Sequence, residues 1–357
     1  MILSENERRA GRTIVAGFDS TSLPADISNL LKHDALSGII LFKRNVETVA
    51  QAASLNEEAR RAAPADRPPI TSVDQEGGRV VRLRNPLTAL PPARKFGEID
   101  DSDLTRAAGL LVGEELSAAG FNLNFAPVLD VDTNPASPVI GDRAYGSSPE
   151  SVIRHAFAFA EGLRTGGVSP CAKHFPGHGD AALDSHLALP SVSCDASRLD
   201  AVELVPFEAW ARATSDPIMT AHVKYPALDP KTPATLSEPI LTGLLRNRLG
   251  FSGPVFSDDL EMGALKEFGG PGGAAVRAIS AGADGLLICR RIENVHAAIE
   301  ALAREADRDS AFAARLDAAG ERLCSLRRMP ACDFSYLNSP LHRERLRAIE
   351  PALSRSI

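Results

Sequence analysis

The sequence predicts an α/β protein built as a single (β/α)8 barrel of the TIM type, and three observations carry that prediction. Short apolar, β-branched runs recur along the chain, each run is followed by a longer segment with helical spacing, and charged residues collect where the runs end. Runs that are apolar throughout fit a parallel sheet covered on both faces, and their alternation with helices of about 10 residues or more makes that sheet. Barrel loops carry functional groups after the C-terminal ends of several strands, whereas a doubly wound open sheet gathers them at one switch point. The 357 residues would allow two domains, yet they also fit one barrel, a fold that runs from roughly 200 to over 400 residues.

The candidate strands are residues 13–16, 38–42, 69–73, 123–131, 168–174, 217–223, 254–257 and 284–289. Asp74 and Glu76 follow the third run, Asp130 and Asp132 the fourth, Lys173 and His174 the fifth, His222 and Lys224 the sixth, and Asp258 and Asp259 the seventh. Helices are predicted over 103–119, 149–164, 239–248, 273–281 and 295–306. The second of these has Ser148 to cap it and a proline at its first position. The glycine-rich 269–273 stretch lacks the G-x-x-x-x-G-K-[ST] pattern of a phosphate loop and reads as the start of a barrel helix. Residues 1–328 are expected to form the barrel, and the proline-broken 329–357 a C-terminal extension packed on it.

Composition narrows the partners. The 39 Lys+Arg and 46 Asp+Glu leave a net charge of −7 with no basic stripe, so the phosphate-neutralising surface of a nucleic-acid binder is not expected. The N-terminal residues hold no apolar core of a signal peptide and include Glu5 and Glu7, and no window nears 18 uninterrupted apolar residues. The five cysteines are scattered and form no C-x-x-C pair, which argues against a zinc site or a disulfide framework. The expectation is a cytoplasmic protein without metal or cofactor, binding neither membrane nor nucleic acid, and needing no more than a monomer.

Three polar clusters could carry chemistry. The densest is Lys173-His174-Phe175-Pro176-Gly177-His178-Gly179-Asp180, followed by Asp184-Ser185-His186. It reads as a hydrogen-bonded polar loop, as a metal site, or as an acid/base pair. The His spacings within a Gly-Pro loop place nothing on a shared helical face, which counts against metal. In an extended loop Asp184 and His186 lie on one side, where the carboxylate can fix the imidazole tautomer and leave the other nitrogen for proton transfer. The second cluster, Ser257-Asp258-Asp259, is either a helix-start charge pair or one functional and one structural acid. Alternation along a strand lets one of the two point into the barrel mouth, and Asp258 is the better placed. The third, Asp74-Gln75-Glu76-Gly77-Gly78-Arg79-Val80-Val81-Arg82, either caps a turn on two glycines with positive φ or grips hydroxyls or an anion through Asp74 and its arginines. Arg143, in Gly141-Asp142-Arg143, adds a cation on the same rim.

Taken together, DQEGGRVVRL, IGDRAYG, KHFPGHGD with LDSH, and FSDDLEMGA resemble the bacterial β-N-acetylglucosaminidases of glycoside hydrolase family 3, single-barrel enzymes that recycle peptidoglycan fragments in the cytoplasm. The resemblance spans Asp74 to Ala264 in the family's order. It implies that Asp258 is the nucleophile, that His186 and Asp184 form a His-Asp acid/base dyad, and that Asp74, Arg82, Arg143, Lys173 and His174 bind the terminal sugar. The implied substrate is a small N-acetylglucosamine-containing muropeptide or oligosaccharide, cleaved with retention through a covalent glycosyl-enzyme. Ala181 and Ala182 depart from the pattern, standing where many relatives carry a threonine and a second polar residue. Relatives of other sugar specificity typically lack the loop dyad, and a silent sugar-binding barrel would have no use for a nucleophile.

Overall fold

The structure is a computed structural model and describes residues 3–134, 137, 139–180 and 189–354. Apart from a separate antiparallel pair, Lys224–Tyr225 with Asp229–Pro233, its strands among the described residues are β1 (Ile14–Ala16), β2 (Gly38–Leu41), β3 (Ile70–Val73), β4 (Leu123–Asn124), β5 in two stretches (Ser169–Pro170 and Ala172–Phe175), β6 (Ile218–Thr220), β7 (Val255–Asp259) and β8 (Gly285–Ile288). All pair in parallel with their neighbours. Val15 aligns with Gly38, Ile39 with Thr71, Ser72 with Leu123 and Leu123 with Ser169. Ala172 aligns with Ile218, Val255 with Ile218, Phe256 with Gly285, and Ile14 with Leu286. Since β5 is one run of chain interrupted at Cys171, the ring of pairings closes, and the (β/α)8 barrel expected from the sequence is what forms.

Why these runs are apolar throughout follows from two-sided burial. Successive side chains on a strand alternate, so one set fills the barrel and the other meets the helices. Val15, Ile40, Met219, Phe256 and Leu287 pack together inside, with Phe125 set edge-on to Phe256 at 5.5 Å. Ile14, Ala16, Ile39, Leu41, Ile218, Leu286 and Ile288 join the outer layer against the helices. Those helices include Ser102–Ala118, Pro149–Thr165, Gly270–Ala281, Ile292–Arg308 and Ser310–Cys324. Ser148 caps the second of them by accepting the Ser151 N–H, and Gly269, at φ 90°, precedes the third. The predicted helix at Pro239–Arg248 is present but wound with wider, π-type turns.

The fourth predicted strand is shorter than expected. Regular pairing ends at Asn124 and returns only as an isolated bridge from Val128 to Lys173, since Pro127 has no N–H to donate, and residues 125–131 run on as an irregular segment beside β5, tied by the Leu129 N–H to the Lys173 carbonyl. Toward the C-terminus, Phe334–Asn338 and Pro340–Ala348 lie on helix Ser102–Ala118. His342 Nε2 sits 2.8 Å from Glu115 Oε1, and the Tyr336 hydroxyl donates to Glu114 at 2.6 Å. No helix of the described residues is long and apolar enough to cross a membrane.

Candidate active site

The polar strand ends converge on one cavity at the C-terminal mouth of the barrel. Asp74, Arg82, Arg143, Lys173, His174 and Asp258 all line it, over an inner floor of Ile40, Met219 and Leu287. The loop after β3 delivers Asp74 and Arg82 together. Gln75 folds it by accepting the N–H groups of Arg82 and Leu83 at 3.0 and 3.1 Å and donating to the Leu83 carbonyl. Gly77 and Gly78 both have positive φ there, and a Cβ on Gly77 would stand 2.6 Å from the Pro91 carbonyl oxygen.

The centre of the cavity wall is an ion network. Lys173 Nζ lies 2.7 Å from Asp74 Oδ1 and 2.6 Å from Glu76 Oε1. Arg143 grips Glu76 with two parallel bonds of 2.8 and 2.7 Å, and Arg82 reaches Asp74 at 3.5 Å. Burial by itself would push both carboxyls up, but Lys173 with Arg82 holds Asp74 below its ordinary value, and Arg143 with Lys173 does the same for Glu76. For Lys173, burial pulls the other way, and the two carboxylates still raise it above its ordinary value. The wall therefore offers fixed, ionised acceptors beside fixed donors, an array suited to a polyol whose hydroxyls both give and take hydrogen bonds.

His174 is oriented from behind. Its Nδ1 faces Asp130 Oδ2, and its Nε2 lies 3.5 Å from Arg143 Nη2. Asp130 is fully buried. Burial raises its carboxyl, yet His174 outweighs that and the group stays below its usual value. Across the cavity, Asp258 and Asp259 end β7, and both line the space, against the expectation that one would. The cause is a register shift between Phe256 and Asp259 against β8, which breaks strict alternation. The two acids still differ in use. Asp259 Oδ1 accepts the N–H groups of Glu261 and Cys289 at 3.0 and 3.2 Å, and burial, with Glu261 and Asp258 nearby, pushes its carboxyl up to about 7.

Asp184 and His186, and Ala181 and Ala182 before them, lie outside the described residues. Glu76, Asp130 and Phe42 are among the residues that enter the site without having been assigned a role in the sequence. Glu76 was findable, since an acid two positions after Asp74 in an extended stretch faces the same side. Phe42 follows β2 on the cavity wall with the Arg82 guanidinium 5.6 Å from its ring centroid, a contact no local pattern announces. Among the described residues no three His, Cys, Asp or Glu side chains are grouped as a metal ion would require.

Comparison with known proteins agrees with this geometry. The family description "Glycosyl hydrolase family 3 N terminal domain" matches residues 14–326. A β-hexosaminidase of Methylococcus capsulatus is 42% identical over 283 residues, which is 78% of this chain and 83% of that protein. Among solved structures, a glycoside hydrolase family 3 β-N-acetylglucosaminidase from Paenibacillus sp. str. FPU-7 superposes with a TM-score of 0.89 at 38% identity, covering 98% of this chain and 68% of that one. NagZ from Neisseria gonorrhoeae, in complex with N-trifluoroacetyl-D-glucosamine, gives 0.78 at 32% identity over 95% and 97% of the two chains. With the barrel, the polar mouth and these matches in agreement, the chain belongs to glycosyl hydrolase family 3 and is a glycoside hydrolase.

Proposed function

We propose that the enzyme is a retaining exo-β-N-acetylglucosaminidase that removes terminal non-reducing β-linked N-acetylglucosamine, acting in the cytoplasm on peptidoglycan-derived anhydro-muropeptides. The observation that carries the reading is the placement of Asp258 in the same cavity as the Asp74–Lys173–Glu76–Arg143 network. The cavity floor of buried Met219 and Leu287 supports exo action, since a sugar chain has to end there instead of passing through. In this reading Asp74, Arg82, Arg143, Lys173 and His174 hold the terminal sugar. His186, oriented by Asp184, protonates the glycosidic oxygen while Asp258 attacks the anomeric carbon. The leaving alcohol departs with that proton, neutral His186 then takes a proton from water, and the hydroxide displaces Asp258. Two displacements retain configuration. Residues 1–328 make up the catalytic barrel, and residues 329–357 are the extension packed on it.

The deciding experiment compares aryl N-acetyl-β-glucosaminide with aryl β-glucoside, follows the first-formed anomer by NMR, and traps the enzyme with a 2-fluoro sugar. A preference for the N-acetyl substrate, a β-anomer first and an adduct on Asp258 are expected. An α-anomer, or retention with no adduct at Asp258, would overturn the nucleophile assignment, the latter in favour of attack by the substrate's own acetamido group.

A further inference from the structure

A second concave site lies at the opposite end of the barrel. Arg12 lies two residues before β1, Asp34 and Ser37 precede β2, and Arg67 precedes β3, so all stand at the N-terminal ends of the strands. Arg327 joins them from just beyond helix Ser310–Cys324. The single carboxylate of Asp34 is shared by three guanidinium groups. Arg12 Nε and Nη2 lie 2.8 and 2.7 Å from its Oδ2, Arg67 Nη1 lies 2.9 Å from the same oxygen, and Arg327 Nη1 lies 3.8 Å from Oδ1. Arg9 lines the same cavity and is paired with Asp317 at 2.9 Å, while Glu321 stands exposed beside them. Four guanidinium groups and two carboxylates, Asp317 and Glu321, line the cavity, with Asp34 behind them and Glu5 3.8 Å from Arg9.

The least compensated of these charges is the buried one. The Arg327 side chain is 5% exposed, its Nη2 donates to Ser37 Oγ at 3.3 Å, and its Nε is buried with no hydrogen-bond partner among the described residues. A buried guanidinium N–H left unpaired is costly, and an under-compensated cation more so, unless something anionic completes it. The cavity holds about 210 Å³, several times the roughly 30 Å³ share of a water molecule, which leaves room for a four-oxygen anion and bridging water. Donors arriving from three separate segments suit a tetrahedral oxyanion better than a flat monocarboxylate, and planar guanidinium forks match phosphate oxygens in pairs.

We propose that this cavity at the N-terminal face of the barrel binds a phosphate-type oxyanion, held by Arg12, Arg67 and Arg327 with Arg9 beside them. The site is independent of the sugar pocket and of the reading given to that pocket. It contains its own reporter, because the exposed thiol of Cys324 lines the same cavity whereas Cys332, also exposed, does not.

The test is alkylation of the folded full chain by neutral iodoacetamide, with Cys324 and Cys332 resolved by mass spectrometry, in inorganic phosphate and in sodium chloride of matched ionic strength. Phosphate should slow Cys324 by about threefold at two-thirds occupancy and leave Cys332 unchanged. Arg67→Ala should abolish the protection and Arg67→Lys restore part of it, with both variants folded by circular dichroism. Glycerol phosphate in place of phosphate tells a site for phosphate esters, which protects equally, from one for the free ion, which does not. Equal labelling of Cys324 in phosphate and chloride, or protection that survives in Arg67→Ala, would overturn the proposal.

Discussion

His174 Nδ1 lies 2.7 Å from Asp130 Oδ2, while the other oxygen of that carboxylate accepts the backbone N–H groups of His174 and His178 at 3.2 and 2.6 Å. One buried acid thus fixes the imidazole and the turn that carries it. With Asp130 ionised, the proton belongs on Nδ1 and the lone pair of Nε2 faces Arg143 and the cavity. Asp130→Asn keeps an oxygen for the backbone but turns an NH2 toward Nδ1, which moves the ring proton to Nε2. The expected loss in kcat/KM is about 10- to 100-fold, matching the roughly 1.5–3 kcal/mol of a hydrogen bond to a charged group. The ring ¹⁵N shifts of His174 should exchange their assignment at the same time, and unchanged shifts would refute the tautomer assignment.

Lys173 is 3% exposed between two acids, so replacing it by methionine should destabilise the fold by about 3–5 kcal/mol at neutral pH, the usual effect of stripping a partner from a buried charge. The pH dependence has a definite sign. Asp74 and Glu76 are held below the ordinary carboxylate value, so their contribution is present above that value, near pH 4, and lost as pH falls through the depressed ones. The gap between wild type and Lys173→Met in chemical denaturation should therefore be widest at pH 7 and should narrow in acid. A gap independent of pH would contradict the network.

Asp259 behaves oppositely. Its carboxyl is pushed up to about 7, chiefly by burial, so its contribution to stability is full below the unfolded value near 4 and is lost as pH rises through 7. Asp259→Asn preserves an oxygen for the Glu261 and Cys289 N–H groups and removes the titration. The variant should gain about 2 kcal/mol relative to wild type on going from pH 5 to pH 8, since each tenfold change in proton affinity carries about 1.36 kcal/mol. Thermal melts at the two pH values check this, and a variant less stable at both would show that the charge itself is required.

Glu115 links the C-terminal segment to the loop that carries Arg82. His342 approaches its Oε1, and Thr88 donates its N–H to Oε2 at 2.9 Å and its hydroxyl to Oε1 at 2.7 Å. Burial raises the Glu115 carboxyl, so the neutral isostere Glu115→Gln should be tolerated better than Glu115→Ala. Glu115→Ala strands the half-buried Thr88 and the buried His342 donors and should cost about 1–3 kcal/mol more in urea denaturation. Equal losses for the two variants would indicate that only side-chain volume counts there.

The sequence by itself determined the barrel and its polar mouth. Apolar runs bounded by acids and basic residues reflect strands buried on both faces, and that pattern is local, so Asp74, Lys173, His174 and Asp258 could be placed at strand ends before any contact was known. Strand extent was less legible past Asn124, where the run stays apolar but Pro127 cannot donate to a ladder. What only the tertiary structure decided were the pairings across the barrel. Lys173 meets Asp74 and Glu76, and Arg143 meets Glu76, over separations of 99 and 67 residues for the hydrogen-bonded pairs Lys173–Asp74 and Arg143–Glu76. Surroundings then divide two acids of one cavity, Lys173 and Arg82 holding Asp74 below its ordinary value against its burial while burial pushes Asp259 up. The same holds at the opposite face, where Arg12, Arg67 and Arg327 are scattered in sequence and share one carboxylate, because parallel pairing sets the N-terminal ends of β1, β2 and β3 side by side and the chain after helix Ser310–Cys324 returns to them.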